Sequence, residues 1–258
     1  MDASRLLRDS VPGMPRGEIA TLFSFLLAAL AGCTNNPYEI GRFADAECDG
    51  RSDVLFCSGF EKPDLSEWDE TVVISSGAIR QTEENPRSGR GALLATSEYN
   101  ESAAAVAAEF TAVSEGELYL RVFMYLPSEF DTMTTNILFI GDAPAPDPFK
   151  GVDFNFEAGA PEIFSPESDP VRYTSTSLTI PRDAWFCYQV EFGVSEDAGS
   201  VRILVDGQVA LDQVGLDTLP AGGVHLLRAG VDWSSKQMTP FAIYMDDLVL
   251  SRSPVDCD

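Results

Sequence analysis

The chain has 258 residues, with 17 Lys+Arg against 41 Asp+Glu and a net charge of −24. Apolar residues at 45% and charged ones at 22% describe a globular chain rather than a disordered one, and the length suits one large domain or two small ones. So acidic a chain excludes ordinary binding to the phosphates of nucleic acid and docking on anionic lipid headgroups.

From Ile19 to Leu30 the sequence reads IATLFSFLLAAL, 12 residues without a charge. A bilayer span needs about 20, so this run fits the apolar core of a signal peptide, with Arg5, Arg8 and Arg16 as its positive flank. Met1 and Met14 both fit as the start. The run ends in Leu30-Ala31-Gly32-Cys33, which resembles the lipobox of bacterial lipoproteins. That resemblance implies removal of residues 1–32 as a signal peptide, a lipid on Cys33 and export. Thr34, not Asp, follows the cysteine, which in that pattern points to the outer membrane. The membrane is then a partner through the N-terminal lipid only. Cleavage leaves the charge unchanged, because residues 1–32 hold three basic and three acidic side chains.

Residues 33–53, containing Asn35-Asn36-Pro37 and an acidic run, read as the lipidated cysteine and a tether, and 54–258 as one domain. Four cysteines follow Cys33: Cys48, Cys57, Cys187 and Cys257. An even number in an exported chain predicts two disulfides. Four cysteines allow three pairings, of which Cys57 with Cys257 would tie the first strand to the last. No CxxC pair occurs and His225 is the single histidine, so a Cys/His zinc site is not expected.

Beyond the tether the hydrophobic period is two. Strands are predicted at Val54–Phe60, Ala92–Thr96 and Ala105–Phe110. The stretch ESAAAVAAEF (101–110) is compatible with helix or strand. Leu118, Leu120, Val122, Met124 and Leu126 alternate with Tyr119, Arg121, Phe123 and Tyr125, a long strand with two distinct faces. Further strands are predicted at Asn136–Ile140, Val152–Phe156, Phe186–Val194, Val201–Val205, Val224–Val231 and Phe241–Leu250, separated by Gly/Pro/Asp/Ser clusters. Asp206-Gly207 marks a hairpin turn before Gln208–Asp212. Many strands without crossover helices predict an all-β antiparallel two-sheet sandwich or jelly roll.

Several local patterns, taken in order, resemble the concanavalin A-like lectin/glucanase superfamily, including laminin-G-like modules and jelly-roll polysaccharide lyases. They are Phe56-Cys57-Ser58-Gly59-Phe60-Glu61 with Trp68 behind it, Pro86-Arg87-Ser88-Gly89-Arg90-Gly91-Ala92-Leu93, the strand LYLRVFMYLPSEF (118–130), Trp185–Glu191 before Val205-Asp206-Gly207, and the closing Tyr244-Met245-Asp246-Asp247-Leu248-Val249-Leu250. The resemblance spans about 54–257 and implies a concanavalin A-like jelly roll. It does not single out an activity, since the fold hosts lectins, hydrolases, lyases and adhesive modules.

Retaining glycoside hydrolysis needs two carboxylates about 5–5.5 Å apart, which laminarinase-type relatives supply from one strand. Here Asp153, Asn155 and Glu157 share a strand face, but Gly151 stands where a first Glu is expected. A lyase needs a base and a group to neutralise the uronate. Tyr119 and Arg121 have that chemistry, yet Asn136-Ile137-Leu138-Phe139 lacks the Q-I-H signature of jelly-roll lyases. A glycan groove needs only aromatic faces and a few fixed polar groups. Tyr119, Arg121, Phe123, Tyr125, Asp153, Asn155 and Glu157 are the candidates, provided both strands face the same way. The expected function is therefore a surface-anchored, non-catalytic module whose partner is a polysaccharide or cell-surface glycan. The alternatives are a lyase or hydrolase using Tyr119, Arg121, Asp153 and Glu157, or a structural envelope lipoprotein. No cofactor is expected, although the resemblance implies a structural Ca²⁺ near Asp247, with only Glu61 nearby on the opening strand.

Overall fold

In the computed structural model, residues 48–98, 103–130, 134–143, 150–165, 171–175, 178–234 and 240–257 are described. The readings of the signal peptide, Cys33 and residues 33–47 fall outside them. In chain order the strands are β1 (Val54–Ser58), β2 (Glu70–Ile74), β3 (Ala78–Thr82), β4 (Ala92–Ser97) and β5 (Ala103–Val113). Then come β6 (Gly116–Tyr125), β7 (Thr134–Ala143), β8 (Lys150–Glu157), β9 (Ala160–Ser165) and β10 (Val171–Thr174). The last five are β11 (Trp185–Val194), β12 (Gly199–Val205), β13 (Gln208–Leu216), β14 (Val224–Ser234) and β15 (Phe241–Ser251).

They make two antiparallel sheets, the jelly-roll sandwich that the period of two predicts. One sheet has eight strands, ordered β13-β12-β11-β6-β15-β4-β3, with β1 also on β15. The other has seven, ordered β10-β9-β8-β7-β14-β5-β2. Alternation decides what lies between them. Leu118, Leu120, Val122 and Met124 of β6 meet Val152, Phe154 and Phe156 of β8 and Leu227, Ala229 and Val231 of β14 in one core. Burying each of the larger side chains is worth about 1.5–3 kcal/mol.

The alanine-rich stretch is a strand. Ala104, Val106 and Ala108 enter the core while Ala105 and Ala107 are buried on the opposite side, and β5 is paired on both edges, by β14 and β2. Two ladders of hydrogen bonds outweigh alanine's helix preference, which amounts to tenths of a kcal/mol per residue. The predicted hairpin also forms: Val205 pairs with Gln208, and Asp206 and Gly207 both have positive φ, 49° and 73°. That is the type I′ geometry that matches strand twist.

Both disulfides form, as Cys48–Cys57 and Cys187–Cys257, so Cys57 does not tie to Cys257. The reason lies in the path of the C-terminal segment. After β15 it folds back over the eight-stranded sheet, where Arg121 Nη1 donates to Asp256 O (2.9 Å) and Gln189 Nε2 to Val255 O (2.7 Å). This delivers Cys257 to Cys187 on β11. Residues 48–53, within the stretch read as tether, are joined to the domain by Cys48–Cys57 and by Arg252 N donating to Asp53 O (2.8 Å).

Candidate functional site

The seven-stranded sheet has an outer face with two polar rows set by strand register. In the first row Arg172, Phe164, Asp153, Phe139, Arg228, Ala107 and Glu70 are successive cross-strand partners from β10 to β2. In the second, Thr174, Glu162, Asn155, Asn136 and Trp233 follow one another from β10 to β14. Phe139, Ala107 and Leu226 form a small buried cluster apart from the main core.

The polar groups of this face are tied together. Glu162 Oε1 accepts from Arg172 Nη1 (2.8 Å) and Asn155 Nδ2 (3.2 Å), and Glu162 Oε2 accepts from Thr174 Oγ1 (2.9 Å). The Arg172 guanidinium also lies over the Phe164 ring, 4.7 Å from its centroid. Arg228 Nη1 donates to Asp232 Oδ1 (2.7 Å), Asn136 Nδ2 to Asp153 Oδ1 and Thr134 Oγ1 to Glu157 Oε2. Burial pushes the Asp153 carboxyl well above the usual carboxylate range; the charge of Asp232 adds to the shift and the Asn136 amide opposes it. Asp232 is also raised by burial, against the pull of Arg228.

Two atoms of this network have no hydrogen-bond partner although buried: Asn136 Oδ1 and Arg228 Nε. Asn136 is 4% exposed, so its carbonyl oxygen is shielded from bulk water without a protein donor. Such an atom costs about 1–3 kcal/mol until something pairs with it. Its cross-strand partner Trp233 is 44% exposed, an aromatic plate next in the row to an amide whose nitrogen is paired and whose oxygen is not.

The other predicted residues lie elsewhere. Tyr119, Arg121, Phe123 and Tyr125 point away from the core on β6, so they sit on the outer face of the eight-stranded sheet. The structure does not bring them together with Asp153, Asn155 and Glu157, because the whole sandwich separates the two sets. Arg121 is 2% exposed and spends its donors on main-chain carbonyls, of Asp247 through Nε (3.4 Å) and Nη2 (3.3 Å) and of Asp256 through Nη1. Tyr119 donates to Glu117, and that bond pushes its hydroxyl up to about 12, which keeps it protonated near neutrality. Phe123 carries the Arg87 guanidinium on its ring, and Tyr125 packs against Trp185 and Tyr244, each with ring centroids 5.8 Å away.

Asp247 marks a junction. Its strand β15 pairs with β4 through Met245 and with β1 from Leu248 onward, and Asp247 has φ 49° at the irregularity between. The turn at Arg87-Ser88 plugs this break. Arg87 Nη1 reaches Asp247 Oδ2 (2.7 Å) and Ser88 Oγ reaches Oδ1 (2.8 Å). Asp246 accepts the backbone N–H groups of Arg87, Ser88 and Asp247. Both Asp247 oxygens are thus taken by a guanidinium and a hydroxyl, and Glu61 accepts from Arg90 N (2.9 Å). The residues present do not fit the Ca²⁺ that the resemblance implies, since calcium needs six to eight oxygens with carboxylates to spare. Among the described residues no group of three Asp, Glu, His or Cys side chains is placed to hold a metal ion.

Sequence reasoning missed Asn136, Glu162, Arg172, Thr174, Arg228, Asp232 and Trp233. A signal was present for two of them. Leu226, Arg228, Gly230 and Asp232 alternate with core residues Leu227, Ala229 and Val231, which puts Arg228 and Asp232 on one face.

The sequence matches no family model and no curated protein. Solved structures share the fold. An endo-β-1,4-glucuronan lyase from the fungus Trichoderma reesei aligns with a TM-score of 0.63 at 15% identity, over 78% of this chain and 94% of that one. Cellulose induced protein Cip1 aligns at 0.58 and 15%, over 78% and 99%. The alginate lyase vAL-1 from Chlorella virus aligns at 0.51 and 10%, over 71% and 89%. At such identities the likeness establishes the sandwich architecture, and the chain is similar to these proteins in fold.

Proposed function

We propose that this chain is a non-catalytic module that binds a polysaccharide across the outer face of the seven-stranded sheet, and that it is exported and held at the cell envelope by a lipid on Cys33. The observation that carries the binding reading is the exposed ring of Trp233 at the end of the polar row Thr174, Glu162, Asn155 and Asn136. A sugar ring offers its apolar face to such an indole and its hydroxyls to polar side chains at the surface beside it. The hydrogen-bonded Glu162 and Asp232 pairs support it, because they hold the surrounding side chains in place before any ligand arrives. The proteins with the same sandwich include a glucuronan lyase and an alginate lyase, which favours a polysaccharide as the ligand class.

The same two lyases also favour a second reading, a lyase acting on a uronate polymer. β-Elimination needs a base at the sugar C5 proton and a neutralised carboxylate. Asn136 is suited to the second task. The base is harder to supply: Tyr119 lies on the opposite sheet, and the described ionisable groups of the two polar rows are carboxyl and guanidinium groups.

A glycan array with a parallel turnover assay tests both. Binding should appear without unsaturated products or new reducing ends, and Trp233→Ala and Asn136→Ala should each weaken it about tenfold, equivalent to about 1.4 kcal/mol. Turnover of an oligouronate, lost in Asn136→Ala, would replace the module with the lyase. Mass spectrometry of the mature N-terminus tests the anchor, and an unmodified cysteine at position 33 would end that part of the proposal.

A further inference from the structure

The turn at residues 87–91 is fastened on two sides. On one side the Glu61 carboxylate, just beyond β1, accepts the backbone N–H groups of Arg90 (2.9 Å) and Gly91 (3.4 Å). It comes so near because Gly89 has no side chain: a Cβ there would lie 1.7 Å from Glu61 Oε1. On the other side Asp246 and Asp247 of β15, both buried, take Arg87 and Ser88. One turn therefore joins the opening strand to the closing strand, the link that the resemblance assigns to a calcium ion.

Every oxygen of Asp247 faces a donor. Oδ2 accepts from Arg87 Nη1 (2.7 Å), Oδ1 from Ser88 Oγ (2.8 Å), and the main-chain oxygen from Arg121 Nε (3.4 Å) and Nη2 (3.3 Å). Two guanidinium groups thus converge on one residue that is 1% exposed. A divalent cation brought among them would be repelled at short range where little water screens the charges. The oxygens of Asp246 and Glu61 are held by backbone N–H groups. The far side of the guanidinium is closed to a metal as well. Arg87 lies over the Phe123 ring, 3.2 Å from its centroid, and Phe123 is buried. A phenyl ring supplies no oxygen to a coordination sphere. A planar guanidinium stacks on it and keeps its N–H edge for the carboxylate.

We infer that Arg87 is a built-in cation at this junction: its guanidinium does for the chain what the resemblance assigns to calcium, and the sandwich is complete without a metal. The inference goes beyond the glycan-binding reading and does not depend on it.

Melting of the full chain in detergent tests it, first after dialysis against a chelator and then with millimolar calcium restored. The two melting temperatures should agree. Arg87→Met keeps an apolar stem beside Phe123 but leaves the Asp247 carboxylate buried without its cation, and should lower the melting temperature by about 10 °C. Adding Asp247→Asn should recover about half of that loss, because the uncompensated charge is gone. Should Arg87→Met fail to fold, folding of the double variant shows the same coupling. Calcium should not rescue Arg87→Met, since a single carboxylate has been freed and calcium needs several. A melting temperature that rises with calcium, in the unaltered chain or in Arg87→Met, overturns the inference. So does an Arg87→Met chain as stable as the unaltered one, or a double variant no more stable than the single.

Discussion

Arg121 shows how a residue with catalytic chemistry becomes structural. Its guanidinium closes on the carbonyls of Asp247 and Asp256, and removing it leaves buried acceptors without donors. Arg121→Ala should therefore cost about 3 kcal/mol, the loss of charged hydrogen bonds plus desolvated carbonyls, while glycan affinity stays unchanged. Urea denaturation and the glycan array together check it. The alternation on β6 showed which residues share a face with Arg121, but a period of two carries no information on what covers that face. Here the cover is the segment after β15, whose sequence advertises itself only through Cys257. Asp153 carries a second prediction at this scale. Burial raises its carboxyl in the folded chain, whereas the unfolded value is about 3.9. The folded state therefore holds a proton that the unfolded state releases, and stability falls as pH rises above about 4, by at most about 1.4 kcal/mol per pH unit, until the raised folded value is passed. Asp153→Asn, neutral at every pH, should flatten that decline in a series of melts, and an unchanged slope would assign it to other groups.

The strands differ in how much of themselves they show in the sequence. Those with both neighbours present, such as β6, β11 and β14, carry clean alternation. The strands missed by sequence reasoning are β2, β3, β9 and β10; three of them end a sheet. An edge strand buries less, so its apolar positions are fewer: β2 leaves Val73 and Ile74 about half exposed, at 51% and 53%. The same distinction governs glycine. Gly230 of β14 has φ 124°, and a Cβ there would lie 2.5 Å from Ala104 O on β5. Gly230→Ala must push β14 from β5 or strain both, at a cost of roughly 3 kcal/mol. Gly207 has φ 73° with open space around it, so Gly207→Ala should cost only about 1 kcal/mol. Denaturation midpoints of the two variants measure the contrast. Equal losses would mean that β5 and β14 do not pack as closely as the register requires. The Arg87–Asp247 clasp belongs to this scale as well. The Arg-Ser-Gly turn and the Asp-Asp of the closing strand look like separate motifs in the sequence, yet they are two halves of one joint where β15 changes partner.

For the molecule as a whole, the two disulfides staple opposite ends of the described chain to the same sheet. Cys48–Cys57 closes nine residues and anchors the start of the domain to β1, whereas Cys187–Cys257 closes 70 and anchors the C-terminal segment to β11. Parity of the cysteine count made two bridges legible; their pairing depended on a chain reversal after β15 that no local pattern encodes. In the chain-entropy account a cross-link stabilises by limiting the unfolded ensemble, and the effect grows with the logarithm of the loop. The long bridge should then contribute about 4 kcal/mol and the short one about 2.5 kcal/mol. The long bridge has a second role, because it keeps Val255 and Asp256 over Gln189 and Arg121. Replacing Cys187 and Cys257 by serine should therefore lower the urea midpoint more than replacing Cys48 and Cys57, and should make the segment after β15 the first site of proteolysis. The face proposed to bind a glycan lies on the other sheet and should keep its affinity in both variants wherever they remain folded. A larger loss from the short bridge, or a loss of binding in the folded variants, would show that the two sheets do not separate anchoring from recognition.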